Sequence, residues 1–241
     1  MNITVIYGNM RHGSTWHLTQ LLLDELRKRT GTSVTEFSLP RDMPHFCTGC
    51  GACFTSGETD CPHRASVAPI DEALIGADII ILASPVYVFN VSGQMKALLD
   101  HFAYRWIVHR AHPTMFRKLG VAVTTTAGAG QNKVAGLLKT SLSFWGVRRL
   151  YALTGAISAV NWEGVPAKKK ARLVKRAAAL AKRLVRDAAR VDKLPVRPHS
   201  RLFFAVTAFM HRKGIAAGTP DLAHWEALGW ENGQKPWKKQ R

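Results

Sequence analysis

Residues 78–83 read DIIILA, and the four positions from Ile79 to Leu82 are large and apolar without a break. A strand with one face in water alternates polar and apolar side chains, whereas a strand in the middle of a parallel sheet is covered by helices on both faces. The run therefore predicts a central parallel strand. The loop SPVYVFN follows at 84–90, and apolar residues at helical spacing continue from 93 to 102.

Strand and helix patterns alternate on both sides of this strand. We predict strands at 3–7, 33–39, 119–125 and 150–159, and helices at 14–29, 67–75, 133–144 and 167–190. Such alternation is typical of parallel strands joined by right-handed crossovers. The sequence therefore predicts an α/β fold over residues 1–192, a doubly wound five-stranded parallel sheet with helices on both faces. Prolines at 195 and 198 end the pattern, and residues 193–241 are predicted to form a C-terminal extension without its own core.

The composition limits the classes of protein to consider. The chain has 241 residues, 46% hydrophobic and 21% charged, which is typical of one globular unit. Its formal net charge of +18 favours anionic partners such as phosphates, nucleic acid or anionic lipid, without choosing among them. The first residues show no signal-peptide pattern, and no apolar run approaches the roughly 18 residues that span a bilayer. We expect a cytoplasmic protein.

The loop GNMRHGST, residues 8–15, joins the first strand to the first helix. A helix start offers unpaired N–H groups and the positive end of a dipole, so it binds phosphate, and Arg11 can add a charge-assisted bond. The loop lacks both the Lys of the nucleotide-triphosphatase motif and the G-x-G-x-x-G spacing of dinucleotide folds. A flavin monophosphate therefore fits better than a dinucleotide. The alternative is that Ser14 and Thr15 only cap the helix.

Two further loops follow the third and fourth predicted strands, SPVYVFN at 84–90 and TTAGAGQ at 125–131. Ligands of open α/β sheets lie outside the carboxyl ends of the strands, where these loops converge with the first. Tyr87 offers a flat face to a planar ligand, and Gly128 and Gly130 allow the backbone to approach it closely. The alternative is ordinary core packing of Tyr87 and Phe89 and an ordinary glycine turn.

All four cysteines lie in a cysteine segment, residues 47–61, with the spacing Cys47-x2-Cys50-x2-Cys53-x7-Cys61. In a reducing compartment such a group favours metal or redox chemistry over disulfides. Four thiolates at this spacing can ligate a 4Fe-4S cluster, and a proline follows the last cysteine, as it does in bacterial ferredoxins. Tetrahedral zinc and a loop of free thiols are the two alternatives.

These motifs together resemble the NADPH-dependent FMN reductase family of flavodoxin-like proteins over roughly residues 1–160, and the cysteine spacing resembles that of its iron-sulfur flavoprotein branch. The resemblance implies FMN and a 4Fe-4S cluster held by Cys47, Cys50, Cys53 and Cys61. It implies phosphate contacts from Asn9, Arg11, Ser14 and Thr15. It also implies contacts to the rest of the flavin from Pro85, Val86, Tyr87, Val88 and Asn90, and from Thr126, Gly128 and Gln131 on the other side.

The same resemblance implies an oxidoreductase without a catalytic side chain. NAD(P)H or reduced ferredoxin would be the electron donor, and a quinone, a free flavin, another protein or a small oxidised compound the acceptor. It implies homodimers or homotetramers. The alternative is a non-catalytic electron-transfer flavoprotein whose cysteine segment binds zinc or nothing.

Two basic regions leave a further alternative open. The helix at 167–190 carries Lys and Arg around one apolar stripe, and we interpret it as the last helix covering the sheet rather than a nucleic-acid or membrane-surface element. The run RLFFAVTAFM at 201–210 is too apolar for a free arm. We expect it to dock on a neighbouring subunit rather than on an anionic membrane.

Overall fold

The computed structural model describes residues 1–159 and 161–238. Its centre is one sheet in which all neighbouring strands are parallel, in the order β2-β1-β3-β4-β5. The strands are β1 (Asn2–Tyr7), β2 (Ser33–Ser38), β3 (Ile79–Pro85), β4 (Leu119–Thr126) and β5 (Arg149–Ala156). The predicted fold class and all five strands are confirmed.

The central position of β3 explains its composition. It pairs with β1 on one side and β4 on the other, and its residues from Ile79 to Ser84 are all buried. The strand order reverses between β1 and β3, because the chain first places β2 outside β1 and then continues on the other side. That reversal opens a crevice at the carboxyl ends of β1 and β3.

Helices cover both faces of the sheet, as predicted. Helices α1 and α6 pack in the apolar cluster on one face, whereas α3, α4 and α5 pack in the cluster on the other. The helices are α1 (Ser14–Arg27), α2 (Ala52–Thr55), α3 (Arg64–Gly76), α4 (Gly93–His101), α5 (Gln131–Phe144), α6 (Ala167–Ala188), α7 (Pro198–Arg212) and α8 (Pro220–Ala227). In the described part of the chain, no helix combines the length and the apolar character that a membrane span needs.

Helix α6 places its apolar stripe against the sheet and α1, and its Lys and Arg residues lie on the other faces. Buried Leu173, Ala177 and Leu184 belong to the same cluster as Leu22 of α1. This arrangement supports the interpretation of α6 as a covering helix.

The C-terminal extension packs on the α/β unit through an apolar cluster that the two parts share. Phe204 of α7, Trp225 of α8 and Trp230 are buried in a third apolar cluster together with Ile107 and Phe116. The sequence pattern missed it because the cluster joins residues that lie about one hundred positions apart, without a local period. Three apolar residues of the run at 201–210, Phe203, Phe204 and Ala208, therefore pack within the chain.

The outer face of α7 is exposed. Leu202, Val206 and Phe209 are 62%, 47% and 54% accessible, whereas Phe204 and Ala208 face the third cluster. The predicted docking on a neighbouring subunit thus concerns only this outer face.

Candidate functional site

A cavity of about 290 Å³ lies at the carboxyl ends of β1, β3 and β4, and the three predicted loops meet there. Eight of the twelve residues that the sequence predicted for the flavin line it: Asn9, Arg11, Ser14, Thr15, Pro85, Val86, Tyr87 and Thr126. The cavity is therefore where strand order and loop chemistry both predicted a ligand.

The loop after β1 is held close to the start of α4. The amide of Gly8 donates to the carbonyl of Ala83 at 2.7 Å, and Ser92 Oγ donates to the Gly8 carbonyl at 2.6 Å. A Cβ on Gly8 would lie 2.5 Å from Ser92 Oγ and 3.1 Å from Met95 Cβ. Only glycine fits at this close approach, which fixes the start of the loop next to the cavity residue Asn9.

Helix α1 begins in a way that leaves its first turn open to an anion. Its N-cap is Gly13, which has no side chain to bond the first N–H groups. Ser14 and Thr15 lie inside the first turn, and Thr15 Oγ1 bonds Thr125 Oγ1 at 2.6 Å instead of capping the helix. The alternative that Ser14 and Thr15 are simple caps is therefore wrong.

The loop after β3 forms one wall of the cavity. Asn9 Nδ2 donates to the Tyr87 hydroxyl at 3.0 Å, and Tyr87 and Asn90 exchange two backbone hydrogen bonds around a tight turn. Val88 and Phe89 occupy this turn with φ of 49° and 57°, and Val88 is 97% exposed. Val88 and Asn90 of this loop lie outside the cavity lining. Two predicted residues after β4, Gly128 and Gln131, also lie outside it.

The structure adds cavity residues that the sequence analysis missed. Thr125, Ile157 and Ala159 also line the cavity, the last two just beyond the end of β5. The carboxyl end of the fifth predicted strand lies at the same sheet edge as the other three. Ile157 and Ala159 could therefore have been predicted from their place at the end of that strand.

A second cavity, of about 190 Å³, lies in the cysteine segment, and all four cysteines line it together with His63, His101 and Tyr104. Gly49 and Gly51 have φ of 68° and 76°, so glycine lets the backbone curve around this space. The four thiols were predicted to act together, and the structure brings them to one cavity. No described residue lines both this cavity and the first one.

The chemistry of these donors suits a metal group. Burial raises the pKa of the Cys53 thiol, and the nearby thiols add to this, while the Arg110 guanidinium opposes it. A bound metal ion would stabilise the thiolate directly, as thiolates are its natural ligands.

Two histidines add donors that the sequence analysis did not predict. His101 Nδ1 donates to the Ala97 carbonyl at 2.8 Å, which leaves His101 Nε2 to accept from His63 Nδ1 at 3.0 Å. The ligand atoms of Cys61, His63 and His101 all lie within 4.8 Å of one another. The two histidines are 38 positions apart, so spacing gave no signal.

A family model for NADPH-dependent FMN reductases matches residues 1–162, about two thirds of the chain. The chain belongs to this family. Within the FMN reductase family, an iron-sulfur flavoprotein of Archaeoglobus fulgidus is 32% identical over 149 residues, 61% of this chain and 64% of that protein. One of Methanocaldococcus jannaschii is 28% identical over 162 residues, 67% of this chain and 79% of that protein. The resemblance seen in the motifs is confirmed.

Solved structures of flavin enzymes share the fold of this family member. The apo form of the NADH:FMN oxidoreductase EMOB has a TM-score of 0.54 at 19% identity, covering 83% of this chain and 93% of its own. An FMN-dependent NADH-azoreductase from Bacillus anthracis, solved with FMN, has a TM-score of 0.57 at 11% identity, covering 76% and 99%. The match to the Archaeoglobus relative spans less than two thirds of that protein.

Proposed function

We propose that this chain is an FMN-dependent oxidoreductase that takes electrons from NAD(P)H or reduced ferredoxin. Its acceptor would be a quinone, a free flavin, another protein or a small oxidised compound. The observation that carries the proposal is the cavity at the sheet's switch point, where an open helix start and Arg11 lie beside Tyr87 and Pro85. An anion site beside an apolar wall is the shape that a phosphorylated planar cofactor needs.

We infer the roles of the cavity residues from this geometry. Arg11, Ser14, Thr15 and the first turn of α1 would bind the phosphate, while Pro85, Val86 and Tyr87 would pack on the ring. Asn9 would hold Tyr87 in place through their 3.0 Å hydrogen bond. FMN, when bound, supplies the hydride and electron chemistry, and the protein positions the ring and excludes water.

We further propose that Cys47, Cys50, Cys53 and Cys61 hold a 4Fe-4S cluster. Four thiols on one cavity and the names of the archaeal relatives support this assignment. A cluster, when bound, supplies one-electron chemistry. The alternative occupant is a single zinc ion, for which His63 and His101 offer further donors.

Steady-state oxidation of NADPH and NADH by the FMN-loaded protein tests the enzymatic proposal. We expect turnover with a quinone or free flavin as acceptor, at a rate that depends on bound FMN. The result that contradicts it is a flavin that dithionite reduces but that neither nicotinamide nor reduced ferredoxin reduces. That outcome favours the non-catalytic electron-transfer flavoprotein.

Replacing Arg11 with Ala is expected to weaken FMN binding by about 1.5 to 3 kcal/mol, the range for a hydrogen bond to a charged group. Calorimetric titration of the cofactor-free protein with FMN measures this. Arg27→Ala is the matched control, because Arg27 lies at the end of α1 and pairs with Asp24 at the surface. An Arg11→Ala protein with unchanged affinity rejects the phosphate role.

We also propose that the chain forms a homodimer or homotetramer through the outer face of α7. Phe209→Asp places a charge among exposed Leu202 and Val206, and light scattering is expected to show smaller assemblies. Val174→Asp is the control, since Val174 is a 40% exposed apolar residue on α6. If Phe209→Asp leaves the size unchanged, the interface lies elsewhere.

A further inference from the structure

A single buried guanidinium, that of Arg110, joins the C-terminal extension to the cysteine segment. Arg110 Nη2 donates to the carbonyl of Cys53, and Nη1 donates to the carboxylate of Asp221 in the first turn of α8. Arg110 Nε donates to Glu58 Oε2 at 3.1 Å. The Arg110 side chain is only 4% exposed, so these three acceptors take the place of the hydration that the guanidinium would have at the surface.

Asp221 is itself held firmly in position. Its second carboxylate oxygen accepts from His109 Nδ1 at 2.7 Å, and the carbonyl of His109 accepts from Trp225 Nε1, also at 2.7 Å. Trp225 is completely buried in the third apolar cluster, and His224 Nε2 donates to the Ala111 carbonyl at 3.1 Å. Helix α8 therefore anchors the carboxylate on the same short stretch of chain that carries Arg110.

The buried Arg110 guanidinium needs the carboxylate of Asp221 to offset its lost hydration. A buried guanidinium is stable only when charged or polar partners compensate its lost hydration. The other carboxylate near Arg110 is that of Glu58, which also lies 4.0 Å from Arg105 Nη2. Arg105 is already paired with Asp71. Without Asp221, Arg110 would lose its best partner and with it the fixed geometry of its bond to Cys53.

We propose that the C-terminal extension is a brace for the cysteine segment, in which Asp221 and Arg110 are positioning residues that keep Cys53 at the cavity. The extension lies outside residues 1–162 that match the family. The effect of the brace on metal binding rests on the proposed function. Its effect on the stability of the cysteine segment does not. The brace also places one positive charge beside the metal ligands.

Hydrogen exchange of the full chain without metal tests the brace directly. In Asp221→Asn, which keeps the size of the side chain, the hydrogen-bonded amides of the cysteine segment, those of residues 54–57, 60 and 61, are expected to exchange about tenfold faster or more, the factor for losing one charge-assisted hydrogen bond. Asp221→Glu is expected to restore most of the protection. Asp192→Asn is the matched control, because Asp192 bonds Arg117 through two oxygens at the surface, away from the cysteine segment.

Anaerobically loaded protein gives a second readout. Asp221→Asn is expected to release iron to a chelator faster than Asp192→Asn does. Arg110→Gln removes the charge and should shift the midpoint potential of the metal group to more negative values, whereas Arg110→Lys keeps the charge and should shift it less. A merely structural role would not separate these two variants.

The brace is overturned if Asp221→Asn leaves exchange of the amides of residues 54–57, 60 and 61 as slow as in the unmodified protein. It is equally overturned if Asp192→Asn raises exchange there as much. Protein that binds no iron at all would reject the proposed cluster, and the exchange measurement on metal-free protein would still decide the brace.

Discussion

Cys50→Ser protein is expected to bind FMN and to hold no 4Fe-4S cluster. The Cys50 side chain is exposed and makes no packing contribution to the three apolar clusters, so its loss leaves the fold intact. A serine hydroxyl is a far poorer ligand for iron than a thiolate. Iron and sulfide analysis with a visible spectrum, after anaerobic reconstitution, measures the result.

Thr48→Ser is the control for this experiment, because Thr48 lines the same cavity and carries no thiol. It should keep iron at the level of the unmodified protein. Retention of the full cluster by Cys50→Ser would contradict the ligand assignment. Zinc without iron in the unmodified protein would give the site to the structural alternative.

Trp225→Ala is expected to lower the free energy of unfolding by about 3 to 5 kcal/mol, the usual cost of removing a buried aromatic side chain. Trp225 packs against Phe204 and Trp230 with ring centroids 4.6 and 5.1 Å apart, and its Nε1 donates to the His109 carbonyl. Chemical denaturation, followed by far-ultraviolet circular dichroism, measures the change.

The outcome also tells whether the C-terminal extension folds with the sheet. The control is Ile215→Ala, because Ile215 lies in the same extension just after α7 and is 64% exposed; its effect should stay within about 0.5 kcal/mol, as for most surface changes. A Trp225→Ala protein of unchanged stability, or one with a separate early transition, would mean that the third cluster is not part of one cooperative unit.

The periodic parts of the fold were predictable. The uninterrupted apolar run at β3 and the helical spacing in α1 and α6 each reflect which faces are buried, and the structure buries those faces. Strand ends then predicted where the loops converge, since the carboxyl ends of parallel strands share one edge. For this reason Arg11 and Tyr87 were found at the cavity from sequence alone.

Features without a period were not predictable. The turn at Val88 and Phe89 needs positive φ at two residues that rarely adopt it, and neither side chain lines the cavity. A Cβ on Gly130 would lie 2.9 Å from Phe89 Cδ1, a contact that only the folded loops create. The meeting of Arg110 with Asp221, 111 positions later, likewise depends on long-range packing.

We propose that one chain binds FMN, accepts electrons from a nicotinamide and carries a 4Fe-4S cluster on its cysteine segment. Titration of anaerobically purified protein with NADPH, followed by its visible spectrum, reports on both cofactors in one experiment. We expect flavin absorbance that bleaches on addition of NADPH, above a broad iron-sulfur absorbance that is missing in Cys50→Ser. A protein that shows no flavin bands, or whose flavin stays oxidised with both NADPH and NADH, would contradict it.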